Sequence, residues 1–265
     1  MHTFAYHRPA TVKQAAAILG KGKDPKVLAG GQTLIPSLKL RLSSVGNLVD
    51  LGGVKGLDKI EAKGKTITIG AMARHAAVAS SAAVRKAIPA LASLAATIGD
   101  PHVRNQGTIG GSIANNDPAA DYPAACVALG ATIITTKRKI PAEKFFKGLF
   151  ETALGKNEII LQVIFPVPRR AAYAKFPNPA SRFALVGVFV ADFEKEVRVA
   201  VTGAGDDGVF RMREMEAGLK KRFAPDSMAG INVPAKGLNS DIHADAAYRA
   251  HLIGVMARRA VAAAG

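Results

Sequence analysis

Lys26-Val27-Leu28-Ala29-Gly30-Gly31-Gln32-Thr33-Leu34 is the stretch on which the reading of this chain turns. Residues 26–29 read as a strand, and that strand runs straight into a glycine pair followed by a hydroxyl. Open α/β sheets bind ligands at the carboxyl ends of their strands. Glycine at such a place lets backbone N–H groups approach an anion that a Cβ would hold off. Upstream, Thr11-Val12-Lys13-Gln14 fits a capping box, so a helix is expected over 12–19, stopped by Gly20 and Gly22. Downstream, 37–42 reads as a helix and 47–51 as a second strand, which completes a small α/β unit.

Beyond Lys65 the pattern changes. Thr66-Ile67-Thr68-Ile69 alternates with period two, as a half-buried strand does. Apolar helices are expected over 72–80 and 84–98, the second with Pro89 near its start. Residues 100–123, rich in Gly, Asn, Asp and Pro, read as irregular; a buried helix and strands over 131–136 and 158–165 follow. Pro166-Val167-Pro168-Arg169-Arg170 is the best linker. Strands near 184–193 and 197–203 and helices around 212–223 and 244–263 make up the remainder.

The irregular region holds a second glycine segment, Thr108-Ile109-Gly110-Gly111-Ser112, leading through Asn115-Asn116-Asp117-Pro118 to Asp121. Two such loops can grip one diphosphate from both sides, with hydroxyls from Thr33, Thr108 and Ser112 beside the amides. Either pair alone reads more readily as a plain turn than as a ligand loop. Asp100 and Asp117 read as turn-formers beside Pro and Gly, while Asp121 stays open between turn and ligand. His75 and His102 read as surface or core histidines. The Gly-x-Gly-x-x-Gly fingerprint does not follow the first strand, and the phosphate loop ending in Gly-Lys-Ser/Thr, the Gly-x-Ser-x-Gly elbow and His-Glu-x-x-His are missing.

Composition narrows the classes. At 265 residues, 49% hydrophobic and 21% charged, the chain suits one large globular domain or two modest ones. The lone Cys126 sits in an apolar stretch and reads as an inert buried thiol; it rules out an intrachain disulfide or a cysteine-ligated cluster. No apolar run reaches the roughly 18 residues of a membrane span, and the start lacks a secretory pattern, so a cytoplasmic protein is expected. Net charge is +16, yet the basic residues are scattered and tryptophan is absent. No nucleic-acid motif accompanies them, so an anionic cofactor or acidic partner is the expected counterpart.

Taken together, these segments carry a resemblance. Phe4-x-Tyr6-His7-Arg8-Pro9, Ala29-Gly30-Gly31-Gln32-Thr33-Leu34-Ile35-Pro36 and Ile98-Gly99-Asp100-Pro101-His102-Val103-Arg104-Asn105-Gln106-Gly107-Thr108-Ile109-Gly110-Gly111 are its main carriers. Tyr173-Ala174-Lys175-Phe176, Ala180-Ser181-Arg182 and Tyr248-Arg249-Ala250-His251-Leu252 extend it over nearly the whole chain. The chain resembles the FAD-binding medium subunit of the xanthine dehydrogenase and carbon monoxide dehydrogenase (molybdenum hydroxylase) family. That resemblance implies an α+β protein with a vanillyl-alcohol-oxidase-type FAD-binding fold over 1–165, in subdomains of about 1–57 and 58–165. A smaller C-terminal domain of antiparallel sheet plus helices would span 170–265.

It also implies non-covalent FAD, held at its pyrophosphate and ribityl chain by Leu28, Ala29, Gly30, Gly31, Gln32, Thr33, Leu34 and Ile35 and by Thr108, Ile109, Gly110, Gly111 and Ser112. Ile98 and Ile160 would lie near the flavin ring, Asp121 would bond a polar part of the cofactor, and Lys175 would approach the isoalloxazine, where a cation stabilises reduced flavin. Gln32 departs from the histidine frequent after this glycine pair, which touches only a side-chain contribution.

By the same resemblance, molybdenum–molybdopterin and [2Fe-2S] clusters sit on a large and a small partner subunit, in a dimer of heterotrimers. This chain then has no catalytic or metal-binding residue of its own and serves as the electron exit. A self-contained flavin oxidoreductase, or a basic anion- or nucleic-acid-binding protein, are the other classes. Bound FAD without turnover by the isolated chain would set aside the first, and flavin absorbance the second. Replacing Gly110 by Val is expected to empty the site and spare the fold, and replacing Lys175 by Met to lower the flavin potential.

Overall fold

The computed structural model describes residues 1–265. It begins with β1 (Ala5–His7), α1 (Val12–Lys21), β2 (Pro25–Leu28), α2 (Leu34–Lys39) and β3 (Asn47–Asp50), whose strands form a parallel sheet in the order β1-β3-β2. The capping box forms: Gln14 N–H donates to Thr11 Oγ1 at 3.2 Å while Gln14 Oε1 accepts from Thr11 N–H at 3.2 Å. Helix α1 runs through Gly20 and stops at Gly22, burying Ala15 and Leu19 against Val49, Leu51 and Ile159. Helix α2 starts three residues before the expected 37, because Pro36 falls in its first turn, where no amide partner is needed.

A second sheet of five antiparallel strands follows. Strands β4 (Ile60–Lys63) and β5 (Thr66–Gly70) lead into six helices: α3 (His75–Ser80), α4 (Ala82–Ala87), α5 (Pro89–Ala96), α6 (Pro101–Gln106), α7 (Ile109–Asn115) and α8 (Tyr122–Ala128). Then come β6 (Thr132–Thr135), β7 (Lys139–Pro141), α9 (Ala142–Phe145), the hairpin β8 (Phe146–Gly148) and β9 (Glu151–Thr152), and β10 (Ile160–Pro166), giving the order β4-β5-β10-β6-β7. The single helix expected over 84–98 is two. Pro89 pushes Ile88 out of the helical region, to φ −139° and ψ 74°, and then opens α5. The irregular stretch expected over 100–123 contains α6 and α7, because Asp100 and Thr108 supply side-chain caps to the amides of Val103 and Gly111.

The chain ends with β11 (Arg170–Pro177), β12 (Ala184–Asp192), β13 (Val197–Thr202), β14 (Phe210–Arg211), α10 (Arg213–Lys221) and α11 (Ala246–Ala264), in an antiparallel sheet ordered β11-β12-β13-β14. Every residue of β12 is buried, because both faces of this sheet are covered. Val186, Val188 and Val190 face Met215, Leu219, Ile253 and Met256 of α10 and α11. Phe189 and Ala191 instead join the larger core with α5 and α8. The last sheet therefore completes the core laid down before it. The expected linker shrinks to residues 167–169 between β10 and β11.

Side-chain and backbone bonds tie the two parts together where the site lies. Thr202 Oγ1 donates toward Ala120 O (2.6 Å) and Pro118 O (3.0 Å), and Gly203 N–H donates to Pro118 O at 2.8 Å. The 117–121 segment is thus pinned to β13. No helix is long and apolar enough to cross a membrane.

Candidate functional site

A cleft of about 640 Å³ opens where the parallel sheet, the helical segment and the last sheet meet. Cofactor sites have this scale. Of the residues expected there, Ala29, Gly30, Gly31, Gln32, Thr33, Leu34, Ile98, Thr108, Gly110, Gly111, Ser112, Asp121 and Ile160 line it. Leu28, Ile35, Ile109 and Lys175 stand behind the wall.

The first loop leaves β2 and turns at Gly31, whose φ of +73° is the left-handed region that glycine tolerates. A Cβ on Gly30 would collide with the Gln106 carbonyl oxygen, so the glycine lets this loop press against the segment entering α7. The backbone N–H groups of Gly30, Gly31, Gln32 and Thr33 donate to no acceptor in the chain. Such unspent donors on a concave wall form an anion-binding bed. Thr33 caps nothing with its hydroxyl, and Gln32 is exposed.

The second segment differs. Ile109 N–H donates to Ala73 O (3.1 Å) and Gly110 N–H to Ala71 O (2.8 Å). Gly111 N–H goes to Thr108 Oγ1 (3.1 Å) and Ser112 N–H to Thr108 O (3.0 Å). A Cβ on Gly110 would stand 2.6 Å from the Cβ of Ala71, aimed into the core. The expectation that Val at 110 spares the fold is therefore corrected: this glycine serves close approach to the turn after β5. Gly111 faces the first loop, its built Cβ lying 3.4 Å from Ala29 Cβ. The two loops form one wall, with amides on one half and the hydroxyls of Thr108 and Ser112 on the other.

Asp121 lies in that cleft with a side chain 5% exposed. Its Oδ1 accepts from Tyr173 Oη at 2.5 Å and pairs with Lys175 Nζ at 3.0 Å, and its Oδ2 lies 3.1 Å from the same ammonium. Lys175 Nζ also donates to Thr97 O at 3.2 Å and is itself nearly buried. Burial pushes the Asp121 carboxyl above the usual carboxylate range, against the pull of Lys175 and Tyr173. Tyr173 and Lys175 are two apart on β11, so both side chains reach the same face. That spacing was the signal by which Tyr173 could have been found beside Lys175. Asp100 and Asp117 make the turns expected of them: Asp100 Oδ1 accepts from Val103 N–H and Asp117 Oδ1 from Ala119 N–H, both at 2.9 Å.

His75, read from sequence as a surface or core residue, is buried and also lines the cleft. Burial, with Arg104 nearby, lowers its pKa to about 4, so the ring is neutral at ordinary pH. The rim adds Arg182, from the quoted Ala180-Ser181-Arg182 segment, and Phe150 and Phe183, which no sequence signal had marked. Phe150 (φ +54°) and Arg182 (φ +62°) adopt left-handed conformations uncommon away from glycine.

Cleft, fold and sequence agree with what is known of other proteins. Residues 2–168 match the family described as "FAD binding domain in molybdopterin dehydrogenase", and the chain belongs to that family, as an FAD-binding medium subunit of the molybdenum hydroxylases. It is 34% identical to the carbon monoxide dehydrogenase medium chain of Hydrogenophaga pseudoflava, over 98% of this chain and 96% of that one. It is likewise 34% identical, with the same coverage, to the nicotine 6-hydroxylase medium subunit of Paenarthrobacter nicotinovorans. Among solved structures, carbon monoxide dehydrogenase from H. pseudoflava lacking the Mo-pyranopterin moiety superposes with a TM-score of 0.88 at 34% identity, covering 99% of this chain and 97% of that one. Quinoline 2-oxidoreductase from Pseudomonas putida 86 gives a TM-score of 0.88 at 26% identity, with the same coverage.

Proposed function

We propose that this cleft holds FAD non-covalently and that the chain works as the electron-transfer subunit of a carbon monoxide dehydrogenase-type complex, between a [2Fe-2S] subunit and an external acceptor. The carrying observation is the row of unspent amides from Gly30 to Thr33 on a glycine-turned loop. Nothing in the chain uses them, and a diphosphate would. The residues present fit the cofactor. Gly30 to Thr33 supply the amide half of the cradle, Thr108 and Ser112 the hydroxyl half, and Ile98 and Ile160 an apolar wall. When bound, FAD supplies a two-electron store between one-electron carriers and the acceptor. Asp121 presents a polar edge, and Lys175 acts through Asp121, holding its charge and orientation together with Tyr173.

The reading extends to the whole assembly. The fold is of the vanillyl-alcohol-oxidase type, with subdomains of about 1–57 and 58–165 and a C-terminal domain over 170–265 that is fused to them through the shared core. Large molybdenum and small iron–sulfur subunits complete a dimer of heterotrimers in the cytoplasm. The choice of substrate lies with the molybdenum subunit, a reading supported by equal identity to a carbon monoxide dehydrogenase chain and a nicotine hydroxylase chain.

Acid precipitation of the purified chain tests the central claim: the yellow chromophore is expected in the supernatant, one per chain. A colourless native protein, or flavin retained on the denatured polypeptide, overturns it. Lys175→Met is expected to lower the flavin midpoint potential, since Asp121 then loses its cation. An unchanged potential would leave Lys175 a structural residue.

A further inference from the structure

Outside the cleft, one surface combines free charge, exposed apolar side chains and access to the site. Strand β7, α9 and the β8–β9 hairpin enclose a shallow depression of about 560 Å³. Its exposed lysines are Lys139, Lys144 and Lys147, and none of the three is in an ion pair. The nearby acids are spent: Glu143 pairs with Arg198, Arg211 and Arg213, and Glu158 with Arg138. Glu151 is the one carboxylate on the depression's wall. At the hairpin tip Leu149 is 61% exposed and Phe150 57%, and Phe150 also lines the FAD cleft.

The tip is held firmly. Buried Asn116 donates through Nδ2 to Gly148 O and to Glu151 O, both at 2.8 Å, and Asn116 O accepts from Phe150 N–H at 3.2 Å. Asn116 is also the left-handed cap of α7, the helix that carries Gly110, Gly111 and Ser112. The hairpin tip is therefore fixed relative to the cradle wall. Exposed apolar side chains held rigid at the tip of a hairpin that also walls a depression with three unpaired lysines have the parts of an interface: an apolar contact and a charged, steering flank.

We propose that this surface docks the iron–sulfur subunit through an acidic patch on that subunit, with Leu149 and Phe150 at the contact centre and Lys139, Lys144 and Lys147 at its rim. The inference rests on the proposed function, because an electron donor must sit at the mouth of the flavin cleft and the hairpin forms part of that mouth. The lysines select an acidic surface by charge.

The test measures binding of the purified small subunit to the FAD-loaded chain by biolayer interferometry at about 0.01 M and about 1 M salt, where the Debye length falls from about 30 to about 3 Å. Leu149→Asp is expected to weaken binding about tenfold or more at both salts. The combined Lys139→Glu, Lys144→Glu and Lys147→Glu variant is expected to slow association about tenfold at low salt, with the difference shrinking at high salt. Both variants should keep native circular dichroism and a full complement of flavin, since none of these residues lines the cleft. Unchanged binding of the small subunit overturns the proposal, as does a loss confined to the large subunit or to self-association. Failure of the FAD reading shows separately, as a native chain without flavin.

Discussion

Gly30-Gly31 and Gly110-Gly111 are the same dipeptide, each one residue removed from a threonine, and they lie on one wall of one cleft. Their work is different. The first pair turns the chain after β2 and leaves four consecutive amides without acceptors, from Gly30 to Thr33. The second sits inside α7, and the amides from Ile109 to Ser112 are all consumed by Ala73, Ala71 and Thr108. At Gly110 the missing Cβ makes room for Ala71, whereas at Gly31 it permits a φ of +73°. A glycine pair thus signals close approach without saying whether the neighbour is a ligand or the protein's own core. The amide inventory separates the two cases.

The largest expected effect follows from the second pair. Gly110→Val drives a branched side chain into Ala71, so destabilisation of about 3 kcal/mol or more is expected, with a lowered Tm even in excess FAD. A Tm within a degree or two of the native protein would return Gly110 to the ligand side of the comparison.

His75 sharpens the same contrast, because it packs beneath the second segment. Its backbone N–H donates to Gly107 O at 3.0 Å, and a Cβ on Gly107 would meet its ring. The folded ring has its pKa lowered to about 4 by burial, while the unfolded ring protonates near the ordinary value of about 6.5. The unfolded state therefore binds the extra proton between these values. His75's contribution is present above about pH 6.5 and is lost as pH falls toward 4, with a ceiling of about 3 kcal/mol. Urea titrations across that window should show a slope that His75→Gln flattens. An identical slope in the variant would assign the acid sensitivity to other groups.

How much of this was legible depended on the range of the interactions. The Thr11–Gln14 capping box spans three residues, and it forms as read. Strand alternation at Thr66-Ile67-Thr68-Ile69 is equally local, and β5 covers it. Helix α7 was not legible, because Gly, Asn and Ser argue for a loop and only the Thr108 cap and burial against the sheet argue otherwise. In the site, the positions of both glycine loops were legible, but the division of labour between them was not. It depends on Ala71 and Ala73, more than thirty residues away in sequence. The Asp121–Tyr173–Lys175 cluster joins residues more than fifty apart. Only the two-residue spacing on β11 hinted that Tyr173 belongs with Lys175.

Gly31→Ala tests the first pair with a smaller expected effect. A methyl group at φ +73° costs about 1–2 kcal/mol of backbone strain, and it would stand 2.9 Å from Ile35. Relief of that strain re-aims the free amides, so FAD affinity should fall about tenfold while the core sheets persist. Loss of stability with unchanged flavin affinity would show that the loop's shape matters to folding and not to the ligand.

The smallest expected effect falls on Ser112, which separates hydroxyl from amide donation. Its backbone N–H is bound to Thr108 O, so the side-chain hydroxyl is the only donor this residue can offer the cleft. Ser112→Ala removes that donor without touching the helix, and alanine is the better helix former at this position. Stability should hold or rise slightly. Flavin affinity should weaken by about 1 kcal/mol, roughly fivefold, the ordinary worth of one hydrogen bond to a ligand. Fluorescence titration of the apo-protein resolves a change of that size. If the second segment contributes shape alone, the affinity will not move, and the whole anionic grip must then be assigned to the amides of the first loop. A drop far above fivefold would instead mean that Ser112 meets charge directly, since hydrogen bonds to charged groups are the stronger kind.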